Sequence, residues 1–170
     1  GQRGGYKNFI TLLKAFSIWK HNDEYELFCV GGKSWNSEEA GLISKNGLVG
    51  KIKLFGFMDD HELMTFYSLA AAFVYPSKYE GFGIPLVEAM ACGTPIVAAN
   101  ISSIPEIAGN AAQYFEPDSE VSLAEALDNV VDDDTIKVSM IENGFKRKES
   151  FNWDKTARET YEVYNKLVQG

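Results

Sequence analysis

Residues 70–99 hold the arrangement that most narrows what this chain can fold into. Two short apolar runs, Ala70-Ala71-Ala72-Phe73-Val74-Tyr75 and Ile96-Val97-Ala98-Ala99, flank the stretch from Pro76 to Pro95. Uninterrupted apolar runs of this length read as strands buried on both faces, which belong to parallel sheets. Between them come a glycine-rich loop with Gly81 and Gly83, a helix opened by Pro85, and a Gly93-Thr94-Pro95 turn. Strand, glycine loop and helix start, in that order, make a place for phosphate at the carboxyl end of a parallel sheet.

The loop can be read residue by residue. Glycine tolerates positive φ and lets a ligand approach the backbone. Pro85 suits the first helical position, where its missing N–H costs nothing. The amides of Leu86 and Val87 are then expected to point out of the helix start, where the dipole favours an anion by about 0.3–1 kcal/mol. Two acids, Glu80 and Glu88, are expected at the same helix start. They are out of place for a phosphate alone, but ionised carboxylates are acceptors that suit sugar hydroxyls. Phosphate on amides with hydroxyls on two acids describes a nucleotide sugar. The other reading, ordinary acids favoured by the dipole, stays open on these residues alone.

A chain of 170 residues is one domain with room for a core. A net charge of −8 without a basic stripe argues against nucleic acid as partner. Cys29 and Cys92 lie in apolar segments and read as buried reduced thiols. No stretch approaches the roughly 20 apolar residues of a membrane span. His21 and His61 have no ligand-like spacing to other residues, and no metal site is expected.

Along the chain, Gly1 to Asn8 is a glycine-rich opening with no apolar strand before it. A doubly wound sheet wants such a strand, so one is expected upstream, together with a preceding domain. A helix with Phe9, Leu12, Leu13, Phe16 and Trp19 on one face follows. Tyr25–Val30 reads as a strand buried on both faces, and the alternating Lys51–Phe55 as a further strand. Asn36 with Glu39, Asp59 with Glu62, and Ser103 with Glu106 are capping-box pairs. The helix after Asp59 is expected to bury Leu63, Met64, Phe66, Tyr67, Leu69 and Ala70. Ala112–Phe115 is a short strand, Ser119 opens a helix, and helical patterns run to the end, with Asn152 capping the last helix. The fold class is α/β, a Rossmann-like doubly wound parallel sheet.

Glu80-Gly-Phe-Gly-Ile-Pro-Leu-Val-Glu88, followed by Ala-Met-Ala-Cys-Gly-Thr-Pro-Ile-Val-Ala, resembles the paired-glutamate motif of retaining GT-B glycosyltransferases of family 4 (group 1). Ser102 to Glu106 and Tyr114 to Pro117 resemble its continuation, and the likeness covers nearly the whole chain. It implies that residues 1–170 are the C-terminal nucleotide-sugar-binding half of a GT-B enzyme whose N-terminal acceptor domain lies elsewhere. The implied reaction moves a hexose from a nucleoside diphosphate sugar to an acceptor hydroxyl, in surface polysaccharide or glycoconjugate synthesis, with no metal or other cofactor. The implied site has Glu80 on the reacting sugar and Glu88 on the ribose. Lys7 and Arg3 would lie on the diphosphate, although the commoner family form has Arg where this chain has Gln2. Gly81, Phe82, Gly83, Ile84 and Leu86 would line the donor loop, with Phe57 and Met58 near the base. The resemblance further implies a cytoplasmic setting at the inner face of the membrane, peripheral contact being made through the missing domain. It also implies weak donor binding and little transfer by this half alone, and a terminal helix whose aromatics lie exposed without the other domain. Two alternatives stand beside this: a non-enzymatic α/β nucleotide-binding module and a GT-B nucleotide-sugar epimerase. The motif around Ser102 resembles bacterial mannosyltransferases using GDP-mannose.

Overall fold

The computed structural model describes residues Arg3 to Gln169; the expectations that fall on Gly1 and Gln2 lie outside the described residues. Five strands, β1 (Leu27–Val30), β2 (Ile52–Phe55), β3 (Phe73–Tyr75), β4 (Ile96–Ala99) and β5 (Ala112–Phe115), alternate with helices. The helices are α1 (Phe9–Ile18), α2 (Ser37–Lys45), α3 (Asp60–Leu69), α4 (Ile84–Ala91) and α5 (Ile104–Ala108), then α6 (Glu120–Asp132), α7 (Asp134–Lys148) and α8 (Trp153–Gln169). All strand pairs are parallel, so each return needs a helical crossover. Helix α1 packs on α2 and α6, and α4 packs on α3 and α7, giving the helical layers of a doubly wound fold.

The core lies around β4, whose four residues are fully buried. Val97 sits between Val74 of β3 and Gln113 of β5. Leu13, Phe16, Leu123 and Val130 close the core on the α1–α6 side, and Leu86, Met90 and Met140 on the α4–α7 side. Each large aliphatic buried in this way stabilises by about 1.5–3 kcal/mol.

The expected capping boxes form at Asn36–Glu39 and Asp59–Glu62. Asn152 caps α8 through the amides of Asp154 and Lys155. The box expected at Ser103 does not form: its hydroxyl donates elsewhere, to the loop after β3.

Two expectations of burial are corrected. The strands make two sheets, β1–β2 and β3–β4–β5, and among the described residues nothing pairs β1 with β3. Strand β1 is not buried on both faces: Phe28 is 48% exposed and leans on Phe55 and Phe66. Helix α3 likewise buries only Tyr67, while Met64 and Leu69 are exposed. On α8, the aromatics Trp153, Tyr161 and Tyr164 are exposed, as expected.

Candidate functional site

The loops leaving the carboxyl ends of β3, β4 and β5 meet the turn that precedes α1. The Lys78 amide donates to the Tyr6 carbonyl at 2.7 Å, and the Lys78 ammonium pairs with Asp118. Asn8, held at φ 56°, donates through Nδ2 to the Pro117 carbonyl at 2.6 Å. Ser102, also left-handed at φ 58°, and Ser103 both donate to the Glu80 carbonyl, at 3.1 and 2.8 Å. A non-glycine residue in this region is uncommon, and its persistence means the surroundings over-determine it.

At the centre, Lys7 Nζ donates to Glu80 Oε1 at 2.6 Å. Both side chains are largely shielded, 27% and 14% exposed, so little water screens the pair. Burial alone would push the Glu80 carboxyl up. The hydrogen bond from Lys7, with the Ser77 and Tyr75 hydroxyls and the ammonium charge, outweighs it and holds Glu80 below its ordinary value. Tyr75 is buried, and burial with the Glu80 charge pushes its phenol up, so it stays a donor.

Glu88 lies one turn further into α4 than the sequence reading put it, since the first turn of α4 holds no acid. Its Oε2 accepts from the Tyr67 hydroxyl at 3.2 Å. Phe73 links the two tyrosines, edge-on to Tyr67 at 5.1 Å and tilted to Tyr75 at 5.8 Å. The two acids therefore stand on one aromatic strip, each with a tyrosine behind it.

Gly83 opens α4 at φ 102°, and a Cβ there would meet Leu86 Cδ1 at 3.0 Å. Gly81 has open space where a Cβ would stand. Phe82 is 43% exposed and rests edge-on against Phe151 at 5.4 Å; Ile84 is half exposed. Leu86 departs from expectation: its side chain is fully buried, and its amide donates to the Gly83 carbonyl at 2.9 Å, a tight first turn that removes one free donor. Phe57, 95% exposed, and half-buried Met58 follow β2, outside the Lys7–Glu80 group.

Arg3 is engaged elsewhere in this structure. Its Nε and Nη2 grip Glu39 at 3.0 and 3.1 Å, and Nη2 also donates to the Lys33 and Ser34 carbonyls. The guanidinium lies 4.7 Å over Trp35, and its Nη1 is buried without a hydrogen-bond partner. Burial pushes Glu39 up, but Arg3 and the Asn36 amide carry it below the ordinary carboxylate value. The planar fork of arginine suits this buried carboxylate, which draws Arg3 away from Lys7.

Sequence reasoning missed Tyr67, Tyr75 and Ser77, and gave Ser103 a capping role. Tyr67 and Tyr75 belong to apolar runs, where a phenol leaves no separate signal. Ser77, two residues past β3, is buried, which the sequence does not signal. Grooves of about 340 Å³ beside Lys20 and Asp128 and about 470 Å³ beside Glu106 and Arg147 do not touch either acid.

The family model for glycosyl transferases group 1 matches residues 1–147. The chain belongs to the group 1 glycosyltransferases. It is 30% identical over 164 residues to O-antigen chain mannosyltransferase B of Escherichia coli, covering 95% of this chain and 43% of that protein. It is 32% identical to the MMP alpha-(1->4)-mannosyltransferase of Mycolicibacterium hassiacum, covering 95% and 40%. Among solved structures, sucrose-phosphate synthase of Thermosynechococcus elongatus superposes with a TM-score of 0.81 at 28% identity, over 99% of this chain and 44% of that one. Anabaena HepE in complex with UDP and glucose gives 0.85 at 22%, over 97% and 46%, a likeness of fold. The fold is that of a GT-B C-terminal domain. The chain spans less than half the length of these relatives.

Proposed function

We propose that this chain is the donor-binding half of a retaining family 4 glycosyltransferase, moving a hexose from a nucleoside diphosphate sugar to an acceptor hydroxyl. The observation that carries the reading is the shielded Lys7–Glu80 pair at the carboxyl ends of the strands, beside an α4 start that presents Gly81 and Gly83. Lys7 bridges to the leaving diphosphate, where negative charge develops and a fixed cation lowers the barrier. The N-terminal end of α4 adds the helix dipole to that stabilisation. Glu80, kept ionised by its partners, accepts hydroxyls of the transferred sugar, and Glu88 accepts those of the ribose. Both are positioning acids for the donor; neither acts as a general base. Phe57 and Met58 flank the base.

The mannosyltransferase relatives favour a mannosyl donor, and the UDP and glucose held by HepE favour a nucleoside diphosphate carrier. The acceptor and the opposite wall of the cleft come from a further domain of the same protein, which also supplies peripheral membrane contact on the cytoplasmic side. A strand from outside the described residues fills the slot between β1 and β3, where the sheet divides. The half alone binds donor weakly and transfers little.

A donor screen on the full-length protein tests this reading. Incorporation of label from one nucleoside diphosphate hexose into an acceptor, with the anomeric configuration kept, supports it. Donor turnover without transfer, yielding an epimerised nucleotide sugar, replaces it.

A further inference from the structure

We infer that Tyr67 is a positioning residue for Glu88: its hydroxyl holds one carboxylate oxygen so that the other faces the donor's ribose. The inference rests on the reading of Glu88 as a ribose-binding acid and names what sets its geometry.

Burial and two contacts fix Tyr67 itself. It is 8% exposed, its ring meets the edge of Phe73 at 5.1 Å, and its carbonyl accepts from Thr94 Oγ1 at 2.8 Å. A buried phenol needs a partner, and the one it finds is Glu88 Oε2 at 3.2 Å, reached from α3 across to α4. Among the described residues, Glu88 Oε1 has no hydrogen-bond partner. Burial, and then the Glu88 charge, push the phenol up, so Tyr67 keeps its proton and donates throughout the physiological range. A glutamate on a helix surface has three rotatable bonds to order when it binds a ligand, and each ordered side chain costs affinity. A fixed donor behind Glu88 removes much of that cost beforehand. It also leaves a single oxygen for the ligand, which fits a diol from one side. At Glu80 the Ser77 and Tyr75 hydroxyls help keep the carboxylate ionised, and Lys7 donates to its Oε1 at 2.6 Å.

The test is made on the full-length protein with its working donor. Tyr67→Phe keeps the ring on Phe73 and removes only the hydroxyl. Loss of a hydrogen bond to a charged group raises the donor KM by roughly five- to twentyfold, with kcat within about twofold of wild type. In a Glu88→Ala background, Tyr67→Phe changes the donor KM no further. Preference for a ribose donor over its 2′-deoxy counterpart falls in Tyr67→Phe and in Glu88→Ala alike. A Tyr67→Phe enzyme with wild-type donor KM, while Glu88→Ala is impaired, overturns the inference. An unimpaired Glu88→Ala overturns the ribose reading instead. Should Tyr67→Phe fold poorly, 3,5-difluorotyrosine at position 67 serves, since it keeps the size and donates more strongly. A donor KM at or below wild type is expected there, and a raised KM counts against the inference.

Discussion

The β3–β4–β5 half and the β1–β2 half of this molecule start from similar sequence and end differently. Ile96-Val97-Ala98-Ala99 and Leu27-Phe28-Cys29-Val30 are both apolar runs of four. The first is wholly buried between two parallel neighbours; the second pairs with β2 and leaves Phe28 half exposed. An apolar run therefore specifies a strand, while its burial depends on what else reaches it. The candidate site lies at the carboxyl ends of the half that holds the fully buried β4.

Substitutions sharpen this contrast, beginning with the largest effect. Ile96→Ala removes a fully buried side chain from β4 and is expected to cost about 2–5 kcal/mol of stability in denaturant unfolding. Phe28→Ala is expected to cost well under half as much; equal losses in the two halves would break the comparison. Next come the two glycines of the loop before α4. Gly83→Ala forces a side chain to φ 102° and against Leu86, costing about 1–2 kcal/mol from the backbone conformation alone. Gly81→Ala meets nothing and is expected to leave the melting temperature unchanged while weakening donor binding.

Smaller effects follow from charge. Glu80 has a depressed folded value, so its contribution to stability is present above its ordinary value of 4.5 and is lost as pH falls through the lower folded value. Lys7→Met should flatten the acid limb of a stability–pH curve, and an unchanged limb would show that the pair does not stabilise the fold. The smallest effect lies at the far end of α1. His21 Nδ1 faces Glu24 and Nε2 faces Asp132, each at 2.9 Å, with Lys20 on Asp132 and Asp128 alongside. Chiefly through Glu24, and against partial burial, His21 is raised above 6.5. Its contribution is complete below pH 6.5 and lost as pH rises through the folded value. Proton NMR titration should find that value lowered in Asp132→Asn.

Much of this fold is legible in the sequence because local rules decide it. The capping boxes at Asn36 and Asp59, the glycine at the start of α4, and the apolar face of α1 each depend on residues a few positions apart. What was not legible depends on distant partners. Ser103 has the local sequence of a helix cap but finds the Glu80 carbonyl, 23 residues earlier, a better acceptor. Arg3 pairs with Glu39, 36 residues later, because a buried carboxylate beside Trp35 outcompetes an exposed loop. Of the candidate site, Glu80 and the glycines stand out from the order of the loop, and Lys7 through the family resemblance. The tyrosines behind the acids do not, since apolar periodicity counts a phenol as one more core ring.

The proposed donor site is tested most directly by titration calorimetry of the full-length protein with nucleoside diphosphate sugars, comparing wild type, Lys7→Ala and Glu88→Ala. Each substitution is expected to weaken binding roughly tenfold or more, by removing a charge-assisted contact, while the melting temperature without ligand changes little for Glu88→Ala. Wild-type affinity in both variants would place the nucleotide sugar somewhere other than the loops at the carboxyl ends of these strands.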